Sequence, residues 1–215
     1  MTRPRILMAD DHSLVLAGLR RLVEEEGDVV GAVEDGRALV EEAQRLRPDL
    51  ILLDISMPLL NGLDAARQLT SLVPDSKVIF LTAHATPTYV TEAFKAGAVG
   101  YLVKQSATAE LKQAIQAVLR GQHYMTPSVT KDMLGTKCVP SEGPVCKRPV
   151  TALTPRQREV LQLIAEGKGV RSIASMLNIS IKTVEFHRAR IMGELDLHSV
   201  AELTRYAISE GLVSL

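Results

Sequence analysis

The sequence is poor in cysteine: Cys138 and Cys146 are the only two among 215 residues. Two thiols are too few for a disulfide framework, and no metal-ligand spacing surrounds them. They sit in the least regular part of the chain and read as inert thiols, with a redox switch as the alternative. Long apolar runs are also missing. None approaches the ~18 residues needed to span a bilayer. Met1-Thr2-Arg3-Pro4 runs straight into a short strand pattern, without the features of a signal peptide. The expected compartment is the cytoplasm. Repeats and low-complexity tracts are absent.

Net charge is absent too, since Lys+Arg and Asp+Glu both number 25. That balance hides an asymmetry. Residues 1–123 carry 13 basic and 16 acidic side chains, while residues 147–215 carry 10 basic and 7 acidic. A mildly acidic first part and a mildly basic second part suggest different partners. The basic excess is too small to argue for nucleic acid by itself. At 46% hydrophobic and 23% charged residues, the composition is that of a globular protein.

What the sequence does contain is an ordered alternation. The run Leu50–Leu53 is apolar at every position and predicts a strand buried on both faces, with Asp54 at its C-terminal end. Pro58 and Gly62 then break the chain before a helix. Arg5 to Ala9, Val29 to Val33, Lys77 to Thr82 and Gly100 to Val103 predict four more strands. Between and after them, 3.6-residue periodicity predicts five helices. The first has Leu14, Val15, Gly18, Leu19, Leu22 and Val23 on one face, with Asp11 or Ser13 as its cap. The last has Leu111, Ile115, Val118 and Leu119 inward. Five βα units imply a parallel sheet covered on both faces, with the flavodoxin-like order 2-1-3-4-5 as the candidate.

The pattern is lost after this, in a stretch holding Pro127, Pro140, Pro144 and Pro149. It reads as a linker over residues 124–150, with one helical turn near Val129–Leu134. Helices resume at Thr154-Pro155, an N-cap followed by proline at the first helical position. A short helix from Arg171 to Leu177, the turn Asn178-Ile179-Ser180 and a longer helix from Ile181 to Leu195 fit a helix-turn-helix. Ser199 caps a last helix, so residues 151–215 form a small all-α unit of four helices.

In the order 2-1-3-4-5, strands one and three are neighbours. Asp10, Asp11 and Asp54 therefore converge, and like charges this close raise one another's pKa. A hard divalent cation resolves the conflict, and carboxylates with carbonyl and water oxygens are a Mg²⁺ ligand set. Strand four ends in Thr82, and Lys104 follows strand five. A hydroxyl, an ammonium and a cation around one carboxylate make a site that stabilises a phosphoryl group, with Asp54 as nucleophile. Each residue alone has a plainer reading as a helix cap, a strand residue or a solvated lysine. Their joint placement at the strand ends is what points to chemistry.

Residues 1–123 resemble the receiver domain of bacterial two-component response regulators. The matching residues are Asp10-Asp11, Asp54 with Met57-Pro58 and Gly62, Thr82-Ala83, Gly97-Ala98 and Lys104. The resemblance implies a phosphoryl group passed to Asp54 by a sensor histidine kinase. It implies Mg²⁺ held by Asp11, Asp54 and the Ser56 carbonyl, with Asp10 through water. Thr82 and Lys104 would touch the phosphoryl oxygens, and Tyr101 matches the switch aromatic that turns inward with Thr82. Ser56 and His84 occupy the positions that tune hydrolysis of the acyl phosphate. Gln105 stands where many receivers have proline, as is usual in one large subfamily.

Residues 153–215 resemble the LuxR-type helix-turn-helix domain. Leu153-Thr154-Pro155-Arg156-Gln157-Arg158-Glu159, Gly167, Ile173-Ala174 and Lys182-Thr183-Val184-Glu185-Phe186-His187 carry the likeness. The pair of domains is the layout of the NarL/FixJ class. Lys182, Thr183, Glu185, His187, Arg188 and Arg190 lie on the early turns of the helix that enters a major groove, while Val184, Ile191 and Leu195 face the core. Gly169, Val170, Ser172 and Glu194 depart from the usual pattern, and Glu194 removes a phosphate-seeking charge. The last helix resembles the element through which such domains dimerise on DNA. The implied partners are a sensor histidine kinase, promoter DNA, RNA polymerase and a second copy, the homodimer forming on phosphorylation or on DNA. Two rival readings remain. A phosphatase or phosphotransferase using Asp54 needs a general acid where Ser56 stands. A phosphorylation-independent regulator would use the receiver only to dimerise, which the intact acidic set opposes.

Overall fold

The computed structural model describes residues 3–135 and 153–213. Cys138, Cys146 and much of the expected linker lie outside the described residues. The chain divides into two compact units.

The N-terminal unit is a parallel sheet between helices. Its strands are β1 (Arg5–Ala9), β2 (Asp28–Val33), β3 (Leu50–Leu53), β4 (Lys77–Thr82), β5 (Gly100–Val103) and β6 (Tyr124–Met125). The helices are α1 (Ser13–Glu26), α2 (Gly36–Leu46), α3 (Gly62–Leu72), α4 (Pro87–Lys95), α5 (Ala107–Leu119) and α6 (Pro127–Gly135). Strand order is β2-β1-β3-β4-β5-β6. All four residues of β3 are buried, as a central strand covered on both faces requires. On one face Ile6, Met8, Leu50, Leu52, Ile79 and Leu102 pack with Leu19 and Val23 of α1 and with Leu111, Ile115 and Val118 of α5. Each such side chain contributes roughly 1.5–3 kcal/mol through the water it sheds.

Register places the site. Ala9 pairs with Leu53, so Asp10 and Asp54 leave neighbouring strands at the same level. Thr82 pairs with Val103, and Lys104 is the next residue. The ladder continues one step past β3, where the Asp54 N–H donates to the Ala9 carbonyl at 2.9 Å.

The expected parallel order 2-1-3-4-5 is present, and the sheet gains a sixth strand inside the stretch expected to be linker. β6 pairs through Gly100–Tyr124 and Tyr101–Met125. The Thr126 N–H donates to the Tyr101 carbonyl at 3.0 Å, and its hydroxyl accepts from the Val103 N–H at 3.1 Å. Two residues are too few to show alternation, so this edge is invisible to periodicity. The expected single turn beyond it is the nine-residue α6.

Further corrections concern helix ends and faces. Neither Asp11 nor Ser13 caps α1; His12 is the cap residue and its side chain makes no capping bond. Asp10 instead accepts from the His12 N–H at 3.0 Å. Leu14, expected inward, is 87% exposed because it lies about 140–180° around α1 from the buried Leu19 and Val23, and Leu119, at the end of α5, also reaches solvent.

The C-terminal unit consists of α7 (Pro155–Ala165), α8 (Val170–Met176), α9 (Ile181–Leu195) and α10 (Val200–Ser209). A reciprocal capping box opens α7: Thr154 Oγ1 accepts from the Gln157 N–H at 3.3 Å, and Gln157 Oε1 accepts from the Thr154 N–H at 2.7 Å. Gly167 follows α7 at φ +76° and Asn178 turns the chain between α8 and α9 at φ +52°, both left-handed conformations that suit these residues. Ser180 caps α9 by accepting from the Thr183 N–H at 3.1 Å. Leu161, Ile173, Val184, Ile191, Leu195, Leu203 and Tyr206 form the core. Val184, Ile191 and Leu195 are thus inward, as expected.

Candidate functional site

The acidic pocket forms at the C-terminal edge of the sheet, where β1, β3 and β5 hand over to their loops. Asp10 and Asp54 are each 3% exposed. Lys104 Nζ lies 2.7 Å from Asp10 Oδ2 and 2.7 Å from Asp54 Oδ2. Asp54 Oδ1 accepts from the Ile55 N–H at 2.7 Å. Asp11 is half-buried, and its Oδ1 lies 2.7 Å from His12 Nδ1. That oxygen is itself shielded from solvent, yet it accepts no well-aligned hydrogen bond.

Three carboxylates thus face one ammonium. Burial pushes the Asp54 carboxyl above the usual carboxylate range; Lys104 opposes this, and the charge of Asp10 adds to it. Burial works against the Lys104 ammonium, but its hydrogen bonds and charge contacts with Asp10 and Asp54 outweigh that and raise its pKa. Asp10, Asp11, His12 and Asp54 each bring a ligating atom within 4.8 Å of the others. Hard oxygen donors, a deficit of positive charge and a shielded Asp11 oxygen without a well-aligned donor suit a Mg²⁺ ion. His12 is mostly exposed and carries a nitrogen donor that Mg²⁺ does not favour.

Around the pocket runs a polar chain that sequence reading found only in part. Thr82 is fully buried, and its Oγ1 accepts from the His84 N–H at 3.3 Å. The His84 ring is hydrogen-bonded through Nε2 to Ser56 Oγ at 3.0 Å and stacks on Tyr89 with ring centroids 4.3 Å apart. Tyr101 is fully buried, pointing inward, and its hydroxyl donates to the His84 carbonyl at 2.8 Å. His12 and Tyr89 were missed. Only adjacency to Asp10-Asp11 could have signalled His12, and Tyr89 carries no local signal for its stacking partner.

In the C-terminal unit, α9 presents a continuous exposed stripe. Lys182, Glu185, Phe186, Ala189 and Arg190 are exposed, on the side away from Val184 and Ile191. Of the residues expected to face DNA, Lys182, Glu185 and Arg190 lie on this stripe. Thr183, His187 and Arg188 are half-buried beside it, and Thr183 is tied to the Ser180 cap. Glu194 accepts from Arg190 Nε at 3.3 Å and from Gln157 Nε2 at 3.1 Å. Phe186 was passed over because only polar residues were sought; its offset from Val184 and Ile191 is the signal that marks it as exposed.

Comparison with known proteins identifies both units. The family model described as "Response regulator receiver domain" matches residues 6–116, and "Bacterial regulatory proteins, luxR family" matches residues 151–207. Response regulator UvrY of Escherichia coli K12 is 35% identical over 209 residues, covering 96% of this chain and 94% of that one. The chain belongs to the two-component response regulators of the NarL/FixJ class. Response regulator GacA of Pseudomonas protegens is 35% identical over 211 residues, covering 97% of each chain. A solved complex of the response regulator RcsB with DNA superposes with a TM-score of 0.60 at 29% identity, covering 97% of this chain and 99% of that one. This response regulator therefore pairs a receiver with a LuxR-type DNA-binding domain, and its acidic cluster is of the kind that binds Mg²⁺ in receivers. Among the described residues, no helix is long and apolar enough to cross a membrane.

Proposed function

We propose that this response regulator accepts a phosphoryl group on Asp54 from a sensor histidine kinase, in a Mg²⁺-dependent reaction, and thereby changes its dimerisation and its binding to promoter DNA. The observation that carries the reading is Lys104 Nζ, 2.7 Å from both Asp10 and Asp54, in a cluster where Asp11 also brings a carboxylate oxygen within 4.8 Å. Bound Mg²⁺, held by Asp11, Asp54 and the Ser56 carbonyl with Asp10 through water, would neutralise the excess carboxylate charge and that of the incoming phosphoryl group.

The chain's own residues have definable tasks. An Asp54 carboxylate oxygen attacks phosphorus while the bond from phosphorus to the kinase imidazole nitrogen breaks, its electron pair returning to the ring. Lys104, already at the rim, offers its protons to the phosphoryl oxygens. The Thr82 hydroxyl accepts one bond and so keeps its own proton free to donate. When Thr82 turns toward the phosphoryl group, the His84 N–H loses its acceptor. The loop after β4, gripped by Tyr101 at the His84 carbonyl, is then the element that responds. An independent phosphatase would need an acid where Ser56 stands, and Ser56 Oγ is hydrogen-bonded to His84.

DNA occupancy follows from α9, whose exposed stripe carries Lys182 and Arg190. RcsB, a structural relative, is seen in complex with DNA. Promoter binding by a homodimer then puts the protein beside RNA polymerase. The test is sedimentation and selection of genomic fragments, each with Mg²⁺ and with or without acetyl phosphate. A dimer and enriched fragments that require acetyl phosphate support the reading. Identical association and occupancy in both conditions support the phosphorylation-independent regulator instead.

A further inference from the structure

Phe186 is 58% exposed, whereas Phe80 is fully buried and Phe94 half-buried. A ring left in water on a helix whose core stripe is complete contributes little to folding. It contributes to whatever covers α9. The ring is also held in place. The Arg190 guanidinium lies 6.0 Å from its centroid, and the His187 ring meets it edge-on at 5.9 Å. Glu194 Oε1 holds Arg190 through Nε at 3.3 Å, a contact that does not use the two Nη groups.

We propose that Phe186 is a base-reading residue, whose ring takes the C5-methyl group of a thymine in the major groove beside a guanine read by Arg190. The inference rests on the DNA-binding reading above. The methyl is the one apolar group that thymine shows there, and cytosine lacks it. An aromatic ring with only two side-chain torsions covers it at small entropic cost. Lys182 and Arg190 flank the ring on a stripe that carries one acid, Glu185, so its net charge is positive and suits a polyanionic occupant. That charge pattern favours duplex DNA over an apolar protein surface. Arg190 has the fork that matches guanine O6 and N7, and its contact with the ring fixes the spacing between the two base contacts.

The test uses the full chain with acetyl phosphate and Mg²⁺. A random duplex library yields the preferred site, and each thymine in that site is then replaced singly by deoxyuridine, which removes only the methyl. The expected result is one thymine per half-site whose replacement weakens binding by about threefold to tenfold, the size of a buried methyl's worth. Phe186→Ala should abolish that difference, and Phe186→Leu should keep part of it. Helical circular dichroism shows that both variants fold. A selected site with no methyl-dependent thymine, or a thymine-to-deoxyuridine ratio unchanged in Phe186→Ala, overturns this inference and leaves DNA binding standing. Failure to select any duplex overturns both. Self-association lost in Phe186→Ala without DNA, with the ratio unchanged, would identify the ring as a protein contact instead.

Discussion

The Tyr101 hydroxyl donates to the His84 carbonyl at 2.8 Å, joining β5 to the loop that follows Thr82. The same loop presents the His84 N–H to Thr82 and the His84 ring to Ser56. The residues around Asp54 are thus mechanically continuous with the strand on which β6 is built. Tyr101→Phe leaves the His84 carbonyl without this donor. We expect a loss of about 1–2 kcal/mol in urea unfolding, and weaker coupling between phosphodonor and dimerisation in sedimentation.

The metal-free pocket should be electrostatically frustrated. Burial raises the Asp54 pKa in the folded protein, so its contribution to stability is complete below the ordinary carboxylate pKa and is lost as pH rises through the raised value. Above that raised value the ionised group destabilises the metal-free protein. Asp54→Asn should raise the Tm without Mg²⁺ and reduce the gain in Tm that Mg²⁺ gives the wild type. Thermal scans with and without Mg²⁺ check both signs.

Gly62 lies directly behind Asp54. A Cβ there would stand 1.9 Å from the Asp54 carbonyl oxygen, a backbone atom that cannot swing away. Its N–H also donates to the Ile55 carbonyl at 2.8 Å. Gly62→Ala should cost at or above the upper end of the ~1–3 kcal/mol typical of overpacking, and should lower phosphorylation in the fraction that still folds.

At alkaline pH, Tyr124 reports on the β6 edge. Burial and the nearby charge of Glu110 push its pKa up to about 12. Its contribution is complete below the unfolded value of about 10 and is lost as pH rises through the folded value. Urea midpoints measured from pH 8 to pH 11 should fall less steeply for Tyr124→Phe than for the wild type.

Glu194 restrains the exposed stripe of α9 by pairing with Arg190. Glu194→Lys frees Arg190 and adds a cation. If that lysine gains one phosphate, affinity rises and the log–log salt dependence steepens by about 0.9. Titrations of one duplex at several salt concentrations give the slope.

Most of this architecture is written in patterns that a sequence displays. Leu50–Leu53 announces a central strand because burial on both faces needs four apolar residues in a row. The strand ends then follow from register, which places Asp10 beside Asp54. Other features are set by tertiary partners. β6 is two residues long and exists because the edge of β5 offers hydrogen bonds to Tyr124–Thr126. Leu14 is spaced i, i+4 from Gly18 but lies nearly opposite the buried Leu19 and Val23 on α1, so its spacing read the wrong face. The stacking of Tyr89 on His84 and the anchoring of Arg190 by Glu194 depend on side-chain directions that spacing does not fix. Phe186 was legible as exposed, yet a search for hydrogen-bonding residues passes over a ring that would read a methyl.

The central claim is that Asp54 is the phosphoacceptor. Intact-protein mass spectrometry after incubation with acetyl phosphate and Mg²⁺ tests it most directly. The account predicts the gain of one phosphoryl group that survives acid, is lost in base, requires Mg²⁺ and is absent from Asp54→Asn. The same gain in Asp54→Asn, or no gain in a folded, Mg²⁺-supplied wild type, would contradict it.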